Sequence, residues 1–409
     1  MRQHLFPMKN PIQPYAWGSY QAIAELRGCS GPSAEPQAEM WMGAHPKAPS
    51  EIETDSGWRR LPEAIAQDPQ GFLGARVAAG HGKELPYLFK ILAAREPLSI
   101  QAHPSQAQAQ EGYARENRLG IALGAPQRNY RDPHPKPELI CALGPFWAMC
   151  GFRQPAEIQA LFERLCPNTL GMHLPALADP HPGLREFFAA LLGLTPSGRR
   201  ALLKEALAHA RNLVREGAHF RWIVRLAEKY PGDIGILAPA FLNCLCLEPG
   251  QALFLPAGEL HAYLEGTAIE IMANSDNVLR GGLTPKHVDP PELLRVLAFA
   301  PRDPHILIPR PLSTGESRYP TWAAEFQLGC IDLNGGHDYR SPPPQGPVIL
   351  LCVAGRADIQ IPQIGEKVTL PQGESVFIPA ACPGYRIRGK ARLYRAGVPL
   401  PDEVRQYNS

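Results

Sequence analysis

One frame occurs twice in this chain and restricts the fold more than any other feature. It runs glycine, five residues, proline, one residue, a small residue, two residues and a closing position. The first copy is Gly250-QALFL-Pro256-Ala257-Gly258-Glu259-Leu260-His261. The second is Gly373-ESVFI-Pro379-Ala380-Ala381-Cys382-Pro383-Gly384, with Gly384 where the first copy has His261. Glycine opens a turn, the apolar run forms a strand, and proline starts a second turn that sends the chain back. Two such units predict two small antiparallel β structures of jelly-roll type. Only the first keeps a closing side chain able to bind a metal.

The texture of the chain changes twice around these frames. Up to residue 150, short β-prone pieces such as 87–92 and 98–102 alternate with turns. Between about 155 and 240 the period lengthens. Leu203, Leu207, Ala210 and Val214 recur at helical steps, and Phe220, Ile223, Val224 and Ala227 repeat the pattern after a break at Glu216-Gly217. Two further helices are expected from near Pro155 and Leu184. From Leu245 strands return, at 251–255, 268–272, 348–353, 357–361, 375–378 and 391–394. The expected fold is therefore mainly β with an α insertion: two cupin-type jelly-roll barrels plus an inserted helical domain. The expected units are 1–152 with 245–300, a helical insertion at 153–244, and a C-terminal barrel at 301–409 without a metal site.

Composition narrows the partners. The 41 basic and 39 acidic residues leave a net charge of +2, so the chain has no electrostatic claim on nucleic acid or membrane surfaces. No apolar run approaches the length of a membrane span, and the first residues lack a secretory core, so a cytoplasmic protein is expected. The nine cysteines follow no repeated spacing and are read as free thiols.

Three clusters carry chemistry. In the expected strand 98–102 and its exit, Gln101 and His103 are two apart and face one way, so an amide oxygen and an imidazole converge. In Arg131-Asp132-Pro133-His134-Pro135-Lys136-Pro137-Glu138, Lys136 and Glu138 are again two apart, and alternate prolines keep the segment extended. Adding His261 gives Gln101, His103, Glu138 and His261, a ligand set suited to zinc with an open position. The third cluster runs from Glu270 to His287. Glu270 lies between Ile269 and Ile271, facing away from their apolar side, and Asp276, Arg280 and Lys286 flank Gly281-Gly282. Arginine and lysine beside glycines suit a phosphate. Lys90, inside the apolar run 88–92, either extends to solvent or points into a polar cavity.

These residues resemble the type I mannose-6-phosphate isomerases, zinc enzymes of the cupin superfamily. The resemblance rests on Tyr15-Ala16-Trp17-Gly18, Glu39-Met40-Trp41-Met42-Gly43-Ala44-His45-Pro46, Phe89-Lys90, Ser99 to Pro104 and Lys136-Pro137-Glu138. It continues through Cys150 to Arg153, Pro256 to Gly266, and Ser275 to Lys286. It implies reversible interconversion of mannose 6-phosphate and fructose 6-phosphate through an enediol, one zinc ion held by Gln101, His103, Glu138 and His261, and an active-site Arg280. It also implies pocket positions for Trp17, Lys90, Ser99, Lys136, Glu270, Asp276 and Lys286, with a small sugar phosphate as the partner and a monomer as the assembly. In that reading Arg280 assists beside the developing oxyanion, Lys286 and Ser99 anchor phosphate, and Lys136 or Glu270 is the proton-transfer base.

One departure stands out. The family pattern has Asn-His before Lys-Pro-Glu, whereas this chain has His134-Pro135. Either His134 replaces the family histidine in opening the sugar ring or another group does so. Two other classes compete, a cupin metal dioxygenase and a non-catalytic sugar-binding bicupin. The first usually carries a compact His-x-His motif where this chain has Gln101-Ala102-His103, and the second has no use for the cations around the metal.

Overall fold

The computed structural model describes residues 3–169, 177, 180–313, 315–336 and 338–405. Its strands form two large antiparallel sheets, one of ten strands and one of eleven. The ten-stranded sheet is organised on one long strand, His261–Ala273. Its first half pairs with Phe146–Phe152 and touches Ile100–Ala102, and its second half lies between Tyr87–Ala94 and Glu138–Ala142. The register slips between Tyr263 and Glu265, where the strand changes neighbours. Such a bulge bends a strand and lets one sheet curl over its own core. The other sheet is built in the same way around Val348–Ile361, which slips between Cys352 and Ala354. That one strand replaces the two expected at 348–353 and 357–361. Neither strand order closes into a ring among the described residues, so each cupin-type unit is a curled sheet with open edges.

Both frames form the expected turn–strand–turn. Gly250 and Gly373 take positive φ of 86° and 83°, and the strands Ala252–Leu255 and Ser375–Ile378 follow. Gly384 has φ 109°, a conformation that side-chain-bearing residues rarely adopt. The expected strand at 98–102 is shorter and begins at Ile100. Leu98 instead donates its N–H to the Tyr263 carbonyl, which fastens the entry of this segment to the long strand.

The insertion is helical, with helices Pro155–Leu165, Pro180–Leu192, Pro196–Leu213 and Ala218–Lys229. Proline in the first turn of three of them costs no hydrogen bond, because those N–H groups have no helical partner. The predicted stripe is the packed face: Leu203, Ala210, Phe220 and Ile223 are buried, while Gly217 caps the last helix. Their core continues into the sheet through Met149, Ala262 and Leu264. The helices thus back the strands that carry the site.

The N-terminal strand Phe6–Lys9 lies inside the eleven-stranded sheet. It pairs with Ser375–Ile378, Phe6 opposite Phe377, and with Glu51–Thr54, Met8 opposite Ile52. Ile269 and Ile271 point into the core shared by both sheets, with Phe89, Phe326 and Phe377. All nine cysteines are free thiols. No helix among the described residues is long and apolar enough to cross a membrane.

Candidate metal centre

Three neighbouring strand positions build the centre. His261 lies directly opposite Gln101, and Gln101 lies directly opposite Arg280. Residues opposed across a sheet share a face, so His261, Gln101 and Arg280 form one row across three strands. Gly258 makes the row possible. At φ 79° it returns the chain into the long strand, and its N–H donates to the His103 carbonyl at 2.8 Å.

His103, Glu138 and His261 are the only three His, Cys, Asp or Glu residues among those described whose ligand atoms all lie within 4.8 Å of one another. All three are buried. His103 Nδ1 lies 2.8 Å from the Asn277 carbonyl, and His261 Nδ1 lies 3.0 Å from the Glu259 carbonyl. A carbonyl only accepts, so each Nδ1 carries the proton and each Nε2 presents a lone pair inward. These Nε2 atoms lie 3.2 and 3.4 Å from the two oxygens of Glu138. His103 Nε2 has no hydrogen-bond donor, although it is buried. Two lone pairs and a carboxylate facing one another repel unless a cation lies between them. The set therefore fits a single divalent metal ion. Gln101 donates its amide to Ser99 Oγ at 3.1 Å, which leaves its carbonyl oxygen available as a further ligand.

Electrostatics reinforce this arrangement. Burial alone would raise the Glu138 pKa, but Lys136, 2.8 Å away, and His103 hold it well below the usual carboxylate range. Burial pushes His103 down to about 4, so its ring stays neutral and ligating at neutral pH. Tyr263 donates its hydroxyl to Glu138 Oε2 at 3.2 Å.

A second buried group borders the same cavity. Lys90 Nζ lies 2.7 Å from Glu270 and 3.7 Å from Glu39. Burial opposes the charge on Lys90, but Glu270 and Glu39 outweigh it and raise its pKa. The Glu270 pKa is raised by burial, against the pull of Lys90. Glu39 also accepts from the Trp41 indole. Replacing Lys90 with methionine would leave two buried carboxylates unpaired. This change should cost about 3–5 kcal/mol of stability, read as a lower urea midpoint at pH 7.5. A loss below about 1 kcal/mol would show that the pair is not holding the site.

The remaining expected residues do not all reach the same place. Gln101, Ser99, Lys90, Lys136 and Glu270 line the cavity with Glu138 and His261. Trp17 is half-buried, its ring tilted against Tyr15 at 5.8 Å and packed in the cluster of Leu98 and Tyr263, which border that cavity. Asp276 is bound to Lys47 at 2.8 Å with His45 3.7 Å away, and Lys286 is exposed on the loop beyond Arg280. His134 is not brought to the centre. It is exposed and lines a separate cavity with His81, Glu84 and Glu325. Lys136, two residues on, points to the metal side, so the chain turns at 131–134 and does not follow strand alternation. The Asp132 carboxylate, accepting from the His134 N–H at 3.1 Å, fixes that turn.

Sequence reading assigned no role to Glu39, Tyr263 or the carbonyls of Glu259 and Asn277. Glu39 and Trp41, two apart in an apolar strand, repeat the signal that marked Gln101 and His103. The carbonyls leave no trace in residue type.

His45 gives a pH-dependent handle. It is 3% exposed, edge-on to Trp41 at 4.9 Å, and burial lowers its pKa to about 4. The folded value lies below the unfolded one, near 6.5, so the unfolded chain takes up the proton first. This contribution is complete above pH 6.5 and is lost as the pH falls toward 4. Its slope approaches about 1.4 kcal/mol per pH unit. Denaturant midpoints of the zinc-free protein and its His45→Gln variant should therefore converge between pH 7 and 5. Parallel pH profiles would contradict this.

A curled-sheet protein with one buried two-histidine, one-carboxylate centre and cations around it is a mononuclear metal protein of the cupin type. Comparison with known proteins makes the family definite. The family model for the catalytic domain of type I phosphomannose isomerase matches residues 5–155. The mannose-6-phosphate isomerase of Shigella flexneri is 42% identical over 396 residues, covering 94% of this chain and 97% of that protein. A crystal structure of a variant of the Salmonella typhimurium phosphomannose isomerase superposes with a TM-score of 0.90 at 38% identity, covering 97% of this chain and all of that one. A zinc-bound mannose 6-phosphate isomerase structure gives 0.88 at the same identity and coverage. The chain belongs to the type I mannose-6-phosphate isomerase family.

Proposed function

We propose that this chain is a zinc-dependent aldose–ketose isomerase that interconverts mannose 6-phosphate and fructose 6-phosphate. The observation that carries the reading is the convergence of two imidazole lone pairs and a carboxylate on one buried point beside Lys136, Glu270 and Arg280. A dioxygenase or a non-catalytic sugar-binding protein is set aside, because the matching relatives are isomerases over nearly the whole chain.

His103, Glu138, His261 and Gln101 would hold the metal. Zinc, when bound, supplies Lewis-acid polarisation of the sugar oxygens as negative charge develops on them. Glu270 is assigned the proton moving between C2 and C1. Burial raises its pKa toward the working pH, which favours a carboxylate that must both take and return a proton. Lys136, buried and already donating to Glu138, is assigned the ring-opening proton, since His134 faces another cavity. Arg280, in register with Gln101, lies where it can face the enediolate oxygens, and Lys286 and Ser99 are left to the phosphate end. Lys90 keeps Glu270 in position, and Trp17 forms one edge of the entrance. The free cysteines support a reducing, cytoplasmic setting, and we assign the chain as a monomer.

Turnover in deuterium oxide tests this reading. Fructose 6-phosphate should form from mannose 6-phosphate and carry deuterium at C1, because an enediol exposes the migrating proton to exchange. Failure to form fructose 6-phosphate would refute the activity.

A further inference from the structure

We infer that Arg131, which no part of the family pattern above includes, is a phosphate-binding residue that joins Lys286 in holding the substrate's phosphate beside Arg280. The inference rests on the isomerase reading and extends it. Arg131 is fastened beside the centre through its own backbone. Its N–H donates to Asn277 Oδ1 at 2.7 Å, and the carbonyl of the same Asn277 accepts from the ligand His103. Further bonds from the Asn277 amide to the Asp132 and His134 carbonyls, at 2.8 and 2.9 Å, press this segment onto the loop leading to Arg280.

The three cations have no carboxylate partner among the described residues, although acids are close by. Asp132 is occupied by Ser275 Oγ and the Asp276 N–H, both at 2.8 Å, and by the Asn277 amide at 3.2 Å. Asp276 is taken by Lys47 and His45. Glu138 is taken by Lys136 and the two imidazoles. These three acids are thus committed, and the charges of Arg131, Arg280 and Lys286 are left unpaired. The charges also act on one another. Beyond the effect of burial, the Arg280 pKa is lowered by Arg131, and the Lys286 pKa by Arg280 and Arg131. Like charges left without counter-ions cost free energy, which a bound dianion offsets through charge-assisted hydrogen bonds. Guanidinium suits that anion because it donates two parallel bonds to a phosphate.

The test uses Arg131→Gln and Arg131→Lys in the zinc-loaded protein, with inorganic phosphate as a direct binding probe alongside mannose 6-phosphate kinetics. A hydrogen-bonded charge lost to a dianion is worth about ten- to a hundredfold in affinity. R131Q should therefore raise KM and weaken phosphate binding by about that factor, with kcat changed much less and zinc content unchanged. R131K should recover part of the loss. If R131Q fails to hold zinc, R131K alone decides: phosphate affinity weakened severalfold supports the inference, and unaltered affinity overturns it. KM and phosphate affinity unchanged in R131Q, or a fall in kcat alone, would also overturn it. Absence of mannose 6-phosphate turnover in the parent chain would instead refute the isomerase reading.

Discussion

Replacing His261 with alanine should remove most of the bound zinc and lower turnover of mannose 6-phosphate at least about a thousandfold. The side chain supplies one of two imidazoles, and its Nε2 is directed inward by the bond from Nδ1 to the Glu259 carbonyl. Alanine leaves Glu138 and His103 facing each other across a gap with one nitrogen ligand missing. Loss of this nitrogen donor removes metal, and loss of the metal removes the largest electrostatic stabilisation available to an enediolate. Stability should fall much less, because the long strand is held by pairing along both edges. Metal analysis after gel filtration, set beside the rate, checks both halves. Full zinc occupancy in the variant would remove His261 from the ligand set.

Arg280→Ala should separate metal binding from catalysis. Arg280 lies one strand from Gln101 and two from His261, on the same face, and its side chain is bonded to neither. Zinc content should therefore stay at one per chain while kcat falls about a hundred- to a thousandfold, the usual worth of a donor aimed at a developing oxyanion. An effect confined to KM would make Arg280 a ground-state binding residue. Normal kcat and normal KM together would place it outside the reaction.

How much of this was legible in the sequence depends on the distance over which each feature is encoded. The Gly250 and Gly373 frames are local, since turn, strand and return follow from residues a few positions apart, and both formed. Pairs two apart, such as Gln101 with His103 and Lys136 with Glu138, convert directly into shared faces. Glu270 between Ile269 and Ile271 converts in the same way into opposite ones. Alternation failed for His134, which lies an even step from Lys136 but is turned aside by Asp132 and two prolines. Its surroundings decided its direction, and those come from other parts of the chain.

Long-range pairing left no such trace. Nothing near Phe6 announces that it will lie opposite Phe377, or that an N-terminal strand will join the C-terminal sheet. Likewise, the long strands His261–Ala273 and Val348–Ile361 change partners at bulges, and the position of a bulge reflects the whole sheet. The carbonyls of Asn277 and Glu259, which set the histidine tautomers, are backbone atoms that any residue provides.

The central claim is that a metal held by Gln101, His103, Glu138 and His261 is required for interconverting mannose 6-phosphate and fructose 6-phosphate. Its most direct test is a coupled assay following fructose 6-phosphate formation in three samples: purified chain, chain after exhaustive chelation, and the chelated chain with one equivalent of zinc restored. The account predicts activity in the first, loss of nearly all of it in the second and recovery in the third. Undiminished turnover after complete metal removal would contradict it.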